Sequence, residues 1–271
     1  MYKRQAPDNL DRFERTVNGT AITGRDAYEN SYTVESIEAF IASGGTTTLE
    51  IANPDIVQPE RVTAIEIGYR ADFDKFLLDI SAYYNNYEDF ISTIDVASPL
   101  SGNVGTAEAE GAIATGNFAA FQAVTNSDVN INSYGAVLGV NTKVFRGFDL
   151  GVNYTYARQD FDQNEDPGFR ANFNTPEHKV KATFGHNNLF TNFGFNTAIR
   201  WSDGYIWESP FAVGDVPSFT VFDAQVNYRI PSLKTTFKLG GTNIGGSEYF
   251  TAVGTGLIGS QYYIGLSINN L

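Results

Sequence analysis

The sequence has no cysteine among its 271 residues, which excludes disulfide frameworks, thiolate metal sites and a cysteine nucleophile. It has two histidines, His178 and His186, so a histidine-based metal cluster is not expected. It also lacks any apolar run long enough for a membrane helix, and its mean hydropathy is −0.22. That average alone would suit a soluble chain, but strands that alternate apolar and polar residues give the same low value.

Basic residues are scarce as well. Lys and Arg total 18 against 31 Asp and Glu, for a net charge of −13. A nucleic-acid partner is therefore not expected, because phosphates are bound by Lys and Arg. No serine has a histidine and an aspartate at a spacing that indicates a catalytic triad, so the sequence predicts neither an enzyme nor a cofactor.

The chain is rich in the residues of strands and turns, with 26 Gly, 21 Phe and 15 Tyr. Its clearest segments are residues 61–70 and 76–85, which are joined by a short polar turn. In the first segment Ile65 and Ile67 lie on one face and Glu66 on the other, the period of two that a strand imposes. Two such strands with one face free of charge form the repeating unit of a transmembrane β-barrel.

The same alternation recurs to the end of the chain, with short and long connections in turn, as in an outer-membrane barrel. The long connections are expected at about 92–130, 159–177 and 202–217, and Asn187–Asn188 is expected to form one short turn. Residues 1–60 are a poorly defined loop or barrel segment, and 61–271 are the barrel portion. The predicted fold is all-β, with nine to ten antiparallel strands. The nine clear ones lie at about 61–70, 76–85, 131–143, 148–156, 179–184, 193–201, 220–228, 235–239 and 262–268.

Each predicted strand has one face without Asp, Glu, Lys or Arg, as expected where a charge in mid-membrane costs about 2 to 4 kcal/mol. The predicted lipid-facing residues are Ile65, Ile67, Leu78, Ile80, Leu138, Val152, Phe195, Phe222, Ile264 and Leu266. The predicted lumen-facing residues are Glu66, Arg70, Asp79, Lys181, Arg200, Asp223 and Lys238. Aromatic residues at the loop-side strand ends are typical of an interfacial girdle: Tyr84, Tyr154, Tyr156 and Trp201. The alternative is a soluble β-sandwich whose apolar face is its core.

Several segments resemble the late barrel strands of TonB-dependent outer-membrane receptors. The first group begins with Asn53-Pro54-Asp55 and continues into the first hairpin, and the second group lies later in the chain. The segments are residues 53–55, 59–63, 66–70, 82–91, 175–179, 241–244 and 248–250. One departure is that the family usually ends on an aromatic residue in phase with the outward set, whereas this sequence ends on Leu271.

The resemblance implies the C-terminal part of a barrel of about 22 strands, with short periplasmic turns and long extracellular loops. The plug, TonB box and signal peptide of the family are not recognisable here, so the chain is expected to be a fragment. The implied function is uptake of a scarce nutrient, such as an iron–siderophore, cobalamin or a glycan, across the outer membrane of a Gram-negative bacterium. The implied partners are outer-membrane lipid, the nutrient and, through the missing N-terminal region, the TonB complex. The alternatives are a small complete porin and a secreted β-sandwich binding module.

Two groups of loop residues are candidates for binding. One group has oxygen-bearing side chains at alternate positions, as in a calcium loop: Asp160, Asp162, Asn164 and Asp166. The glycine and distal glutamate of an EF-hand are missing, so this group is a weak candidate for a metal site. The simpler prediction is a solvated acidic loop. The acidic loops as a whole would attract a cationic or metal-bearing ligand electrostatically. The alternative is that their charge serves only solubility or adapts the protein to a saline medium. The candidates for ligand contact are aromatic and equally suit the girdle: Tyr205, Trp207 and Phe211.

Overall fold

The structure is a computed structural model that describes residues 15–127, 129–165, 169, 171–209 and 212–268. Its elements follow in chain order. They are β1 (Arg15–Val17), β2 (Thr20–Ile22), α1 (Gly24–Glu29), β3 (Tyr32–Thr33), α2 (Val34–Ala42), β4 (Arg61–Phe73), β5 (Phe76–Glu88), β6 (Phe90–Pro99), α3 (Ala107–Ala114), β7 (Phe118–Ser127), β8 (Ile131–Val144), β9 (Phe148–Asp160), β10 (His178–Phe190), β11 (Phe193–Ser202), β12 (Tyr205–Glu208), β13 (Val213–Val216), β14 (Phe219–Ile230), β15 (Thr235–Thr242) and β16 (Gln261–Ile268).

Nine of these strands form one antiparallel sheet in the order β16, β15, β14, β11, β10, β9, β8, β5, β4. They are the nine strands that the alternation predicts, so the antiparallel all-β organisation is confirmed. Within the described residues the sheet is open, with β4 and β16 at its two edges. Several strands are longer than the expected ten residues, since β4, β5, β9 and β10 each have 13.

One short turn lies elsewhere than predicted. Asn187 and Asn188 belong to β10, whose pairing with β11 shifts register between His186 and Phe190. A β-bulge inserts extra residues into a strand without ending it, so this polar pair does not reverse the chain. The reversal comes just after β10, where Asn192 has a φ of 64°, a left-handed conformation that asparagine tolerates well.

The register of the sheet places the predicted apolar residues on one face. Val152 lies opposite Ala182, which lies opposite Ile199, which in turn lies opposite Phe222. Residues directly opposite each other in an antiparallel pair project to the same side. The period of two along each strand is therefore matched across the sheet, and the alternate residues form a second, polar face.

Charged residues enter the apolar face at loop-side strand ends. Arg61, the first residue of β4 and of the predicted strand 61–70, is in phase with Ile65 and Ile67, so the prediction of a charge-free face is wrong at this position. β9 continues past Tyr156, and both Arg158 and Asp160 are in phase with the apolar set. Arg158 forms an ion pair with Glu177 at 3.5 Å. The expectation of a charge-free face is therefore wrong for this loop-side end, which extends past the aromatic residues.

Residues 92–130, expected to be one long connection, are largely ordered into elements. β6 and β7 pair along ten residues each, α3 lies between them, and β3 adds a third strand to this sheet. α2 also forms where the sequence shows only weak helical spacing, and Thr33 caps it by accepting a hydrogen bond from the Ser36 amide. β6 was not apparent because it is buried along much of its length, which removes the alternation of a half-exposed strand.

The core beneath these elements joins segments that are far apart in the sequence. Tyr32 is 1% exposed, and its hydroxyl accepts a hydrogen bond from the Gly105 amide at 2.6 Å. The apolar side chains packed around it come from α2, β6 and α3, namely Ile37, Phe40, Ala97, Ala109 and Ile113. This core explains why residues 90–127 do not behave as an unstructured loop.

The chain divides into two compact units that alternate along the sequence. The first contains the described residues of Met1–Thr63, Asn86–Ile131 and Phe161–Ala171, and the second contains those of Ala64–Asn85, Asn132–Asp160 and Asn172–Leu271. The second unit holds most of the nine-stranded sheet. In the described residues no helix has the length and apolar character needed to cross a membrane. Leu271, whose phase is unusual, lies outside the described residues.

Candidate functional site

The apolar face of the nine-stranded sheet exposes large hydrophobic side chains. Ile65, Ile67 and Ile264 are 66%, 73% and 71% exposed. The remaining predicted lipid-facing residues are at least partly exposed: Leu78, Ile80, Leu138, Val152, Phe195, Phe222 and Leu266. Apolar surface on this scale is unusual for a soluble monomer, and hydrocarbon would cover it without requiring any polar partner.

Aromatic residues mark both ends of this face. Tyr154 and Trp201 stand at the loop side of β9 and β11, as predicted, and both are paired with Val180 on the strand between them. The short-turn side has a second aromatic level that the sequence reasoning did not single out. There Phe73 and Phe76 stack at 4.6 Å, and phenylalanines also flank the β8–β9 turn, at Phe145 and Phe148, and the β10–β11 turn, at Phe190 and Phe193. The signal was present in the sequence as an aromatic residue on either side of a short turn.

The polar face brings together predicted lumen-facing residues from neighbouring strands. Lys181 lies between Asn153 on β9 and Arg200 on β11. Arg200 makes a two-pronged ion pair with Asp223, with Nε donating to Oδ2 at 3.0 Å and Nη2 to Oδ1 at 3.2 Å. Such forked pairs hold both planar groups in a defined orientation.

The other predicted lumen-facing residues are spread along the same sheet. Glu66 and Arg70 lie on β4 near one edge, and Asp79 lies on β5. Lys238 on β15 lies opposite Asn227 on β14. None of these four forms an ion pair with Arg200 or Asp223 in the part of the chain that the structure describes.

Asp223 has a second partner that sequence reasoning missed. Its Oδ1 accepts a hydrogen bond from the Asn243 backbone amide at 3.0 Å. Asn243 is 2% exposed and has a φ of 51°, and its side-chain Nδ2 donates to the Ser247 carbonyl at 2.6 Å. Its Oδ1 is buried without a hydrogen-bond partner in the described structure. A single carboxylate thus connects β11 to the start of the loop between β15 and β16.

A cavity of about 420 Å³ opens beside this ion pair. Among the described residues, no acidic side chain lines it. Its lining includes basic and aromatic side chains together with a threonine, among them Lys179, Lys181, Arg200, Tyr205, Phe219 and Thr251. Space of this size falls in the range of small-molecule sites. The basic side chains can bind a small group electrostatically, and the aromatic rings can contact it.

The predicted ligand-contact residues have different positions. Tyr205 lines the cavity, and its hydroxyl donates to the Thr251 carbonyl at 2.6 Å, while burial raises the pKa of Tyr205. Trp207 lies on β12 opposite Gly214 of β13 and does not line this cavity. Phe211 lies outside the described residues.

Loop contacts hold the β12–β13 hairpin in place. Asn174 Nδ2 donates to the Glu208 carbonyl at 2.7 Å, and the Glu208 amide donates to Asn174 Oδ1 at 2.7 Å. Phe219, at the start of β14, stacks on Tyr249 at 4.4 Å. Three connections of the second unit are thereby tied to one another around the cavity.

The weak metal candidate gains no cluster from the structure. Asp162 Oδ1 accepts hydrogen bonds from the amide and the side chain of Asn164 at 2.9 and 2.8 Å, and these bonds lower the pKa of Asp162. Asp160 ends β9, and Asp166 lies outside the described residues. Among the described residues, no group of three or more His, Asp or Glu side chains is placed to hold a metal ion.

Comparison with protein-family models finds a model that matches this chain. It is described as "TonB dependent receptor-like, beta-barrel" and covers residues 13–244. No curated protein sequence matches the chain.

Solved structures give the same fold. The copper transporter OprC is 16% identical with a TM-score of 0.56, over 78% of this chain and 31% of its own. The FrpB iron transporter from Neisseria meningitidis is 14% identical with a TM-score of 0.56, again over 78% and 31%. The ferric enterobactin receptor PfeA from Pseudomonas aeruginosa is 16% identical with a TM-score of 0.53, over 76% and 31%. The chain thus spans about a third of the length of these structures. At such low sequence identity, the similarity shows only that the fold is shared.

Proposed function

Because this chain belongs to the family of TonB-dependent receptor β-barrels, we propose that it forms part of the barrel wall of an outer-membrane receptor for active nutrient uptake. The family consists of transport receptors rather than enzymes, and the similar structures are named as iron, copper and ferric-siderophore transporters or receptors. The proposed cargo is a scarce nutrient such as an iron–siderophore, cobalamin or a glycan, and the proposed energy source is the TonB complex.

The observation that carries the proposal is the two-faced sheet. Its apolar face is exposed over large residues such as Ile67 and Leu266, which suits contact with lipid. Its polar face carries the Lys181, Arg200 and Asp223 cluster, which suits a lumen that contains water and a moving solute. A sheet with these faces can separate hydrocarbon from an aqueous path only as part of a closed barrel, because open edges are not tolerated in lipid.

Localisation follows from the same reasoning. We assign the chain to the outer membrane of a Gram-negative bacterium, with the short turns on the periplasmic side and the long loops outside. The soluble β-sandwich alternative predicts that the apolar face is covered by a second sheet. Among the described residues the nine-stranded sheet keeps this face exposed, and the matched structures share a barrel fold.

Uptake by the full-length gene product tests the function. The gene would be deleted in its source bacterium, and growth and radiolabel uptake would be measured with iron chelates, copper, cobalamin and glycans as limiting nutrients. The expected result is loss of uptake of one nutrient, restored by the gene and abolished by a protonophore. Uptake that persists at full rate without the proton gradient would contradict active transport and would favour the small-porin alternative.

A further inference from the structure

The cavity beside Arg200 has an excess of positive charge. Lys181 lies directly opposite Arg200 in the sheet. Lys179 precedes it by two residues on β10, on the same face, and lies opposite Ser202 at the loop-side end of β11. Like charges in directly opposed positions destabilise a sheet unless a counter-charge is near. In the described residues Asp223 is the one carboxylate that forms an ion pair with any of these three cations, so a charge of about +2 remains near the cavity.

The loop that borders the cavity is anchored through the same ion pair. Residues 243–260 connect β15 to β16. Asn243 holds the start of this loop through its amide bond to Asp223 Oδ1, and Ser260 Oγ donates to the Asn243 carbonyl at 2.6 Å. Arg200 donates to both oxygens of Asp223, which fixes the carboxylate in the orientation that accepts from Asn243. The orientation of the loop anchor therefore depends on where the guanidinium points.

We propose that the cavity is a binding subsite for a small soluble anion bearing a carboxylate or phosphate group, and that the bound anion loosens the loop of residues 243–260. Lys179 and Lys181 supply charge, and the Arg200 fork turns from Asp223 to the anion. Asp223 then loses the contact that fixes its orientation, and its hold on Asn243 weakens. The inference rests on the proposed function in one respect, that the polar face lines an aqueous lumen.

The test measures binding and loop motion in the same full-length receptor, purified in detergent. Leu257, which is 60% exposed in the loop, is replaced by cysteine and carries a nitroxide label. The probes are citrate and inorganic phosphate, and binding is followed by titration calorimetry. We expect citrate to bind and the electron paramagnetic resonance spectrum to narrow as the loop becomes more mobile.

Lysine variants test the subsite. Lys181→Gln is expected to weaken citrate binding about tenfold, the effect of losing one charge-assisted hydrogen bond. Lys181→Arg is expected to restore binding. Lys238→Gln is the matched control, because Lys238 is a cation on the same face that does not line the cavity. Citrate that does not bind the unsubstituted receptor, or binds Lys181→Gln and Lys238→Gln equally, would overturn the subsite.

A second pair of variants tests the coupling. Asp223→Asn is expected to give the mobile loop spectrum without citrate, and Arg200→Lys to give the same spectrum because lysine keeps the charge but not the fork. Citrate binding with an unchanged spectrum would refute the coupling. Nutrient uptake is measured on the same variants, so a receptor that transports normally yet binds no anion would reject this inference and leave the transport function standing.

Discussion

Arginine placed at the centre of the apolar face should destabilise the receptor strongly, and β11 provides a matched pair of positions. Thr197 lies on the apolar face midway between Phe193 and Trp201, opposite Phe184 and Ala224. Each aromatic lies four positions along β11 from Thr197, about 13 Å along the strand or about 10 Å of depth at a tilt near 40°. The two aromatics would then bracket about 20 Å, close to the apolar band of about 25 Å in known barrels.

Asn196, the preceding residue, lies on the polar face opposite Gly185 and Gln225 and is exposed. Thr197→Arg is expected to lower the free energy of unfolding by about 2 to 4 kcal/mol, or about 30- to 1000-fold in the unfolding equilibrium. The lost hydrogen bond from Thr197 Oγ to the Phe184 carbonyl adds about 1 kcal/mol. Asn196→Arg is expected to change stability by about 0.5 kcal/mol or less.

The assay is guanidinium unfolding of the full-length receptor in lipid vesicles, with heat-dependent gel mobility as a check of folding. Equal stability of the two arginine variants would refute the assignment of the faces. Nitroxide labels at the same two positions separate lipid from a protein core. The label at 197 should collide with oxygen and not with a water-soluble nickel complex, and the label at 196 should show the reverse. A label at 197 that neither reagent reaches would indicate a second protein layer on this face.

Three further predictions concern packing, loops and pH. Gly135→Ala should lower the free energy of unfolding by about 1 to 3 kcal/mol in guanidinium, because an added Cβ would meet a β9 carbonyl and a tyrosine ring. The control Gly245→Ala has open space around the added Cβ and should be near neutral. Equal effects of the two substitutions would contradict the close packing at Gly135. Asn174→Ala removes both hydrogen bonds to the Glu208 backbone and should raise the rate of loop cleavage in limited proteolysis about tenfold. An unchanged rate would show that these two bonds do not hold the β12–β13 hairpin in place. Burial raises the pKa of Tyr205, so its neutral hydroxyl contributes fully to loop stability at pH values below the ordinary tyrosine pKa. This contribution is lost as pH rises through the raised pKa, and the loops should then be cleaved faster in the same proteolysis assay. Tyr205→Phe should abolish this increase in cleavage at alkaline pH.

The sequence alone determined the nine-stranded sheet and the division between its faces. Side chains alternate between the two faces of a strand with a period of two. Ile65 and Ile67 therefore lie on one face and Glu66 on the other, whichever strand pairs with them. The same local rule placed Lys181, Arg200 and Asp223 on one side. The sequence also predicted Tyr205 as a ligand-contact residue from its place in a loop.

The tertiary structure decided what depends on contacts between distant segments. β6 and β7 fold with residues 15–60 because Tyr32 and Phe40 supply a core that no local pattern records. The bulge that carries β10 past Asn187 depends on its pairing with β11. The junction of Arg200, Asp223 and Asn243 requires three chain segments to meet at one carboxylate. Periodicity describes the surface that a strand presents, whereas the partner of each side chain is set by register and loop closure, which only the folded chain determines.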